Sequence, residues 1–143
     1  MTELHWHGYV WNNLGSEISD SKGRDELPDF RTLEHPANRL AACLKKSPSL
    51  VRGTFTDVDA ALMWFATEYR KLPRMLRDDQ VGQLGSPDDE DRLARQRESL
   101  LRGTDVAWSF WIVNVRRVDI NLIACPSKQA PGFPCPKPAT AAR

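Results

Sequence analysis

Apolar and polar residues alternate strictly near both ends of the chain. Leu4, Trp6, Gly8 and Val10 fall on one face of a strand over Leu4–Trp11, and His5, His7, Tyr9 and Trp11 fall on the other. Two further runs lie close together in Asp105–Cys125. Val106, Trp108, Phe110 and Ile112 share a face of the first, and Val118, Ile120, Leu122 and Ala124 share a face of the second. This period-2 pattern predicts a β-hairpin with a short turn bearing Arg116 and Arg117. A shorter strand is expected over Leu50–Phe55.

Between these runs the period changes to that of helices. Ala37, Leu40, Cys43 and Leu44 make one stripe, in a short helix over Pro36–Lys46 ended by Ser47-Pro48. Val58, Ala61, Leu62, Phe65, Tyr69 and Leu72 make a stronger one, in a helix over Asp57–Leu72 with Thr56 as its cap and Pro73 as its stop. After a linker at 77–85, Ser86-Pro87-Asp88-Asp89 signals a helix start, and Gly103 suits the left-handed position past its end at Arg102. That helix has a thin stripe of Leu93, Ala94, Leu100 and Leu101. Its i, i+4 acid–Arg pairs mark a solvated face.

The order β-α-β-α-α-β-β predicts an α+β domain. About four strands end in a C-terminal antiparallel hairpin, with about three helices packed on one face. The β-α-β start is expected to supply a parallel pair. Residues 1–125 form the domain, with a long loop at 12–34. The tail 126–143 contains Pro126, Pro131, Pro134, Pro136 and Pro138 and is expected to be extended.

Composition adds bounds. The 143 residues fit one domain with a core of its own. A net charge of +1 does not recommend a polyanionic partner. No basic-then-apolar leader opens the chain, and no apolar run approaches the roughly 18 residues of a spanning helix, so a cytoplasmic protein without a membrane partner is expected. The three cysteines argue against a secreted disulfide scaffold. Nucleotide-binding and common hydrolase motifs (GxGxxG, P-loop, GxSxG, HExxH) are absent.

Three functional readings follow. Five tryptophans are many for this length. With helices on one face only, Tyr9, Trp11 and Trp111 would form an exposed aromatic patch. The first reading is therefore a protein that acts by protein–protein contact or self-association, without chemistry of its own. Arg70, Lys71, Arg74 and Arg77, joined by Arg116 and Arg117, suggest a phosphate-contacting surface and nucleic-acid binding as an alternative. The third reading is a metalloprotein or a small enzyme, zinc-dependent or other, with its site at His5, His7, Cys125 and Cys135. His5 and His7 point the same way from one strand. If that strand neighbours the last one, Cys125 and Cys135 complete a donor set suited to tetrahedral zinc. Nine residues separate the two cysteines, where zinc hairpins place two to four; the alternative for the same pair is a disulfide closing a short proline-rich loop, which a cytosolic compartment opposes. Cys43 reads as a small core residue, and Asp119 as an outward, solvated carboxylate.

Overall fold

The computed structural model describes residues 3–72 and 89–137. Strand β1 runs over His5–Leu14, β2 over Gly53–Phe55, β3 over Val106–Ile112 and β4 over Arg116–Cys125. They form one sheet in the order β2-β1-β4-β3, and every pairing is antiparallel. The centre of the sheet is the β1–β4 ladder, in register from His5 opposite Cys125 to Leu14 opposite Arg116. The expected parallel pair is not formed. Residues 15–52 contain no α-helix that could carry the chain across a sheet face, and β2 returns against β1 in the opposite direction.

The hairpin turn is Val113–Val115, with Asn114 in the left-handed region, so Arg116 and Arg117 already belong to β4.

Helix α1 spans Val58–Arg70. Asp57, not Thr56, caps it, its Oδ2 accepting from the Ala60 N–H at 3.0 Å. Helix α2 spans Glu90–Leu101, and the start expected at Ser86-Pro87 lies outside the described residues. Gly103 takes φ +80°, as the sequence requires. The Gly103 N–H donates to the Leu100 carbonyl and the Thr104 N–H to the Ser99 carbonyl, both at 2.9 Å, which closes the helix end.

Alternation along β1 and β4 sorts the residues into two cores. On one face Trp6, Ile120 and Leu122 pack with Phe65 of α1, Leu100 of α2 and Phe110 of β3. The Trp6 indole donates to the Leu100 carbonyl at 3.1 Å. On the other face Tyr9, Trp11, Ile123 and Cys125 pack with Cys43 and Leu44, with Phe133 and Cys135 of the tail against them. The α+β class is as expected, but both sheet faces are covered. The helix expected over Pro36–Lys46 is a 3₁₀ segment, Leu40–Lys45, and it lies on the second face. Lys46 ties the preceding loop to it. Its buried ammonium donates to the Phe30 carbonyl at 3.0 Å and the Leu33 carbonyl at 2.8 Å, and sits 3.8 Å from the Phe30 ring centroid. The described tail forms neither helix nor strand, yet it packs down through Phe133 and Cys135. Among the described residues, no helix is long and apolar enough to cross a membrane.

Candidate metal centre

His5, His7, Cys125 and Cys135 meet at the end of the second face. The pleat of β1 points both imidazoles to that side, and the ladder sets Cys125 directly opposite His5. The tail then brings Cys135 back over the strand ends. One ligand atom from each residue lies within 4.8 Å of all the others. The Cys135 Sγ is 3.4 Å from His5 Nε2 and 3.6 Å from His7 Nε2. His5, His7 and Cys125 are buried and Cys135 is half-buried.

The other ring nitrogens are held. His5 Nδ1 donates to the Glu3 carbonyl at 2.8 Å, which leaves Nε2 bare toward the thiols. His7 Nδ1 hydrogen-bonds with Thr54 Oγ1 of β2 at 3.0 Å. The two rings stand edge to face, with centroids 4.9 Å apart and planes at 89°. Such outer partners fix tautomer and ring orientation in metal sites.

Electrostatics agree with this donor set. Burial, then the neighbouring His5 and the Lys137 ammonium, lower His7 to about 4, so its imidazole is neutral at physiological pH. Burial, then the hydrogen bond with Cys135, pushes the Cys125 thiol up to about 12. A thiol in this setting becomes a thiolate only when a cation replaces its proton. Two imidazoles and two thiolates suit zinc. At bond lengths of about 2.0–2.1 Å to nitrogen and about 2.3 Å to sulfur, the N–S edge of a tetrahedron is about 3.6 Å, and the distances from the Cys135 Sγ to the two imidazoles, 3.4 and 3.6 Å, are close to it.

Other expected site residues fare differently. Tyr9 and Trp11 are buried, not exposed. They stack at 5.5 Å, and the Trp11 indole donates to Asn121 Oδ1 at 2.9 Å. Burial first, and then the thiols of Cys43, Cys125 and Cys135, hold the Tyr9 phenol above its usual range. Trp111 is half-buried on β3, close against Gly15. The aromatic patch does not exist as an open surface, because the 3₁₀ segment and the tail cover its centre.

Of the basic cluster, Arg70 and Lys71 stand at the end of α1, and Lys71 pairs with Glu68 at 2.6 Å. Arg116 donates to Asn12 Oδ1 at 2.8 Å, and Arg117 pairs with Asp119 at 3.1 Å. Arg74 and Arg77 lie outside the described residues. Asp119 is buried rather than solvated, and also accepts from the Ser109 hydroxyl. Cys43 is a core thiol, pushed up to about 12 by burial, beside Asn121.

Glu3 and Thr54 were not legible as site residues. One contributes only its backbone, and the other depends on which strand lies beside β1. No protein family, no curated protein and no solved structure matches the chain.

Proposed function

We propose that this protein binds one zinc ion through His5, His7, Cys125 and Cys135, and that the ion has a structural role. The observation that carries this reading is the convergence of four ligand atoms within 4.8 Å from three separate stretches of chain. Two properties of the site support it. The imidazole Nδ1 atoms are already engaged, so each Nε2 is presented to the centre. Four protein ligands complete a tetrahedron, which leaves no open position for substrate and favours structure over catalysis. In this reading His5, His7 and Cys125 are held by the sheet, and Cys135 fastens the tail to it. An imidazole–thiolate set of this kind carries no net charge once zinc is bound, which suits a buried position. The interaction reading loses its support with the burial of Tyr9 and Trp11.

The test is metal analysis of the full chain, purified without added zinc and without chelators. One equivalent of zinc per chain is expected, with loss of most of it in Cys135→Ser and His7→Ala. The reading falls if the protein takes up no zinc at micromolar concentration, or if both variants retain one equivalent.

A further inference from the structure

Cys125 and Cys135 stand side by side, their sulfurs within 4.8 Å of each other, and both are free thiols. They reach that point from chain of different rigidity. Cys125 ends β4 and is fixed in the ladder opposite His5. Cys135 lies on a segment that forms neither helix nor strand, and it is half-buried where Cys125 and both histidines are buried. The third thiol, Cys43, is fully buried and faces Asn121 Oδ1 at 3.9 Å. Asn121 precedes Cys125 by four residues on β4, about 13 Å along the strand. Cys43 therefore does not compete for either sulfur of the pair.

Two thiolates about 2.3 Å from one ion in a tetrahedron lie about 3.8 Å apart. A disulfide joins its sulfurs at about 2.05 Å. The tail can make the remaining approach, because no ladder restrains it and the loop between the two cysteines is short. A sulfur committed to a disulfide has lost the negative charge that makes it a zinc ligand. Ion and disulfide therefore exclude each other at this site.

We propose that Cys125 and Cys135 form a thiol–disulfide switch that governs zinc occupancy, with a hydroperoxide as oxidant and a dithiol as reductant. This rests on the zinc reading above. Cys135, the more exposed sulfur, attacks a peroxide oxygen. An S–O bond forms, the O–O bond breaks, and the departing alkoxide or hydroxide takes a proton from water, leaving a sulfenic acid on Cys135. The Cys125 thiolate attacks that sulfur. The S–S bond forms, the S–O bond breaks, and hydroxide leaves to be protonated. In sum the two thiolates lose two electrons, the peroxide gains them, and the solvent gives two protons. The site is left with two imidazoles and releases its ion. A dithiol returns the electrons through a mixed disulfide and is itself oxidised to a disulfide. An accessible thiolate beside a resolving cysteine is the arrangement of redox sensors, and a transient bridge is the kind that a reducing compartment permits.

The test treats the full-length, zinc-loaded protein with hydrogen peroxide. A chromogenic chelator follows released zinc, and alkylation with peptide mass mapping follows the cysteines. Most of the zinc should leave as a Cys125–Cys135 disulfide appears, and Cys43→Ala should behave as wild type does. The oxidised protein should take up no zinc until dithiothreitol is added, and should then recover its full equivalent. Release of zinc with a bridge to Cys43, a bridge between chains or a sulfinic acid in place of this disulfide overturns the switch. So does zinc retained under excess peroxide, or a bridge that dithiothreitol does not reverse. Each of these leaves the zinc reading standing. A reduced protein that takes up no zinc overturns both.

Discussion

Gly8 offers a sharp test of how α1 is clamped to the sheet. It lies on β1 between His7 and Tyr9, but its Cα hydrogens face the opposite side. A Cβ built there would lie 2.6 Å from Trp64 Cη2, 2.7 Å from Cζ3 and 2.9 Å from Cζ2. All three atoms belong to the six-membered ring of an indole that packs into the first core and sits 5.8 Å from the Phe55 ring. The ring must move by several tenths of an ångström, and Phe55 of β2 limits its retreat. Overpacking of this kind costs about 1–3 kcal/mol. The backbone gain of alanine over glycine inside a strand offsets about 0.5–1 kcal/mol. The net expectation for Gly8→Ala is about 1–2 kcal/mol of destabilisation, or a melting temperature roughly 3–8 °C lower for a domain of this size. Trp64→Phe removes the offending atoms, so the double variant should be more stable than the sum of the two single changes predicts, by about 1 kcal/mol. Thermal and urea denaturation with zinc chelated would measure all four proteins, and zinc stoichiometry should be the same in each. An unchanged or raised melting temperature for Gly8→Ala, or strict additivity in the double variant, would refute the close-approach argument.

Lys46 carries a pH signature. Burial lowers its pKa from 10.5 to about 8 in the folded protein. Between these values the unfolded chain holds more protons than the native one, so stability should rise with pH from about 8 to about 10.5, by about 3 kcal/mol in all. Denaturation across that range should show the rise in wild type and not in Lys46→Met; parallel profiles would count against it. Trp11→Ser removes a buried indole and leaves Asn121 Oδ1 only the long Cys43 thiol contact, for a loss of about 3–5 kcal/mol. Trp111→Ser, at a half-buried position, should cost less. Equal denaturation midpoints for the two variants would show that the second face is not the closed core described above.

Much of the fold was readable because it obeys short periods. The two-residue alternation of β1 and β4 placed Trp6, Val118, Ile120, Leu122 and Ala124 together on the face that packs against α1 and α2, and the stripe from Val58 to Leu72 located α1. The second face was not readable for a physical reason. Its cover is built from segments without periodicity: a loop gathered around Phe30 and Lys46, a 3₁₀ segment, and a proline-containing tail. Nothing in the local sequence says that such segments lie flat on a sheet. Tyr9 and Trp11 therefore read as exposed, and Asp119 as solvated. The metal cluster was legible as a conditional. The shared direction of His5 and His7 follows from strand geometry, but their meeting with Cys125 required β1 beside β4. The wide spacing of the cysteines misleads only if both are assumed to belong to one turn. Cys125 ends a strand, and Cys135 arrives on a chain that has left the sheet and returned.

That difference in origin determines what an ion at this site can stabilise. Three of the four ligands are set by structure that does not depend on a metal. His5 and His7 are fixed by the pleat and by their Nδ1 partners, and Cys125 by its register opposite His5. An ion adds little order to them. Cys135 is different, because the described tail makes no ladder. Phe133 beside it rests under Arg39 and Lys45, at 5.5 and 5.3 Å, contacts of modest strength near the surface. The loop that Cys135 closes back to Cys125 is short, so the chain entropy recovered by closing it is limited. Zinc in this arrangement would act chiefly on the tail rather than on the sheet. It would hold in place the segment that covers Tyr9 and the histidines, and so keep water from the ligands that bind it. The centre and its cover would then stand or fall together, while the β1–β4 ladder and the core beneath α1 and α2 persist without either.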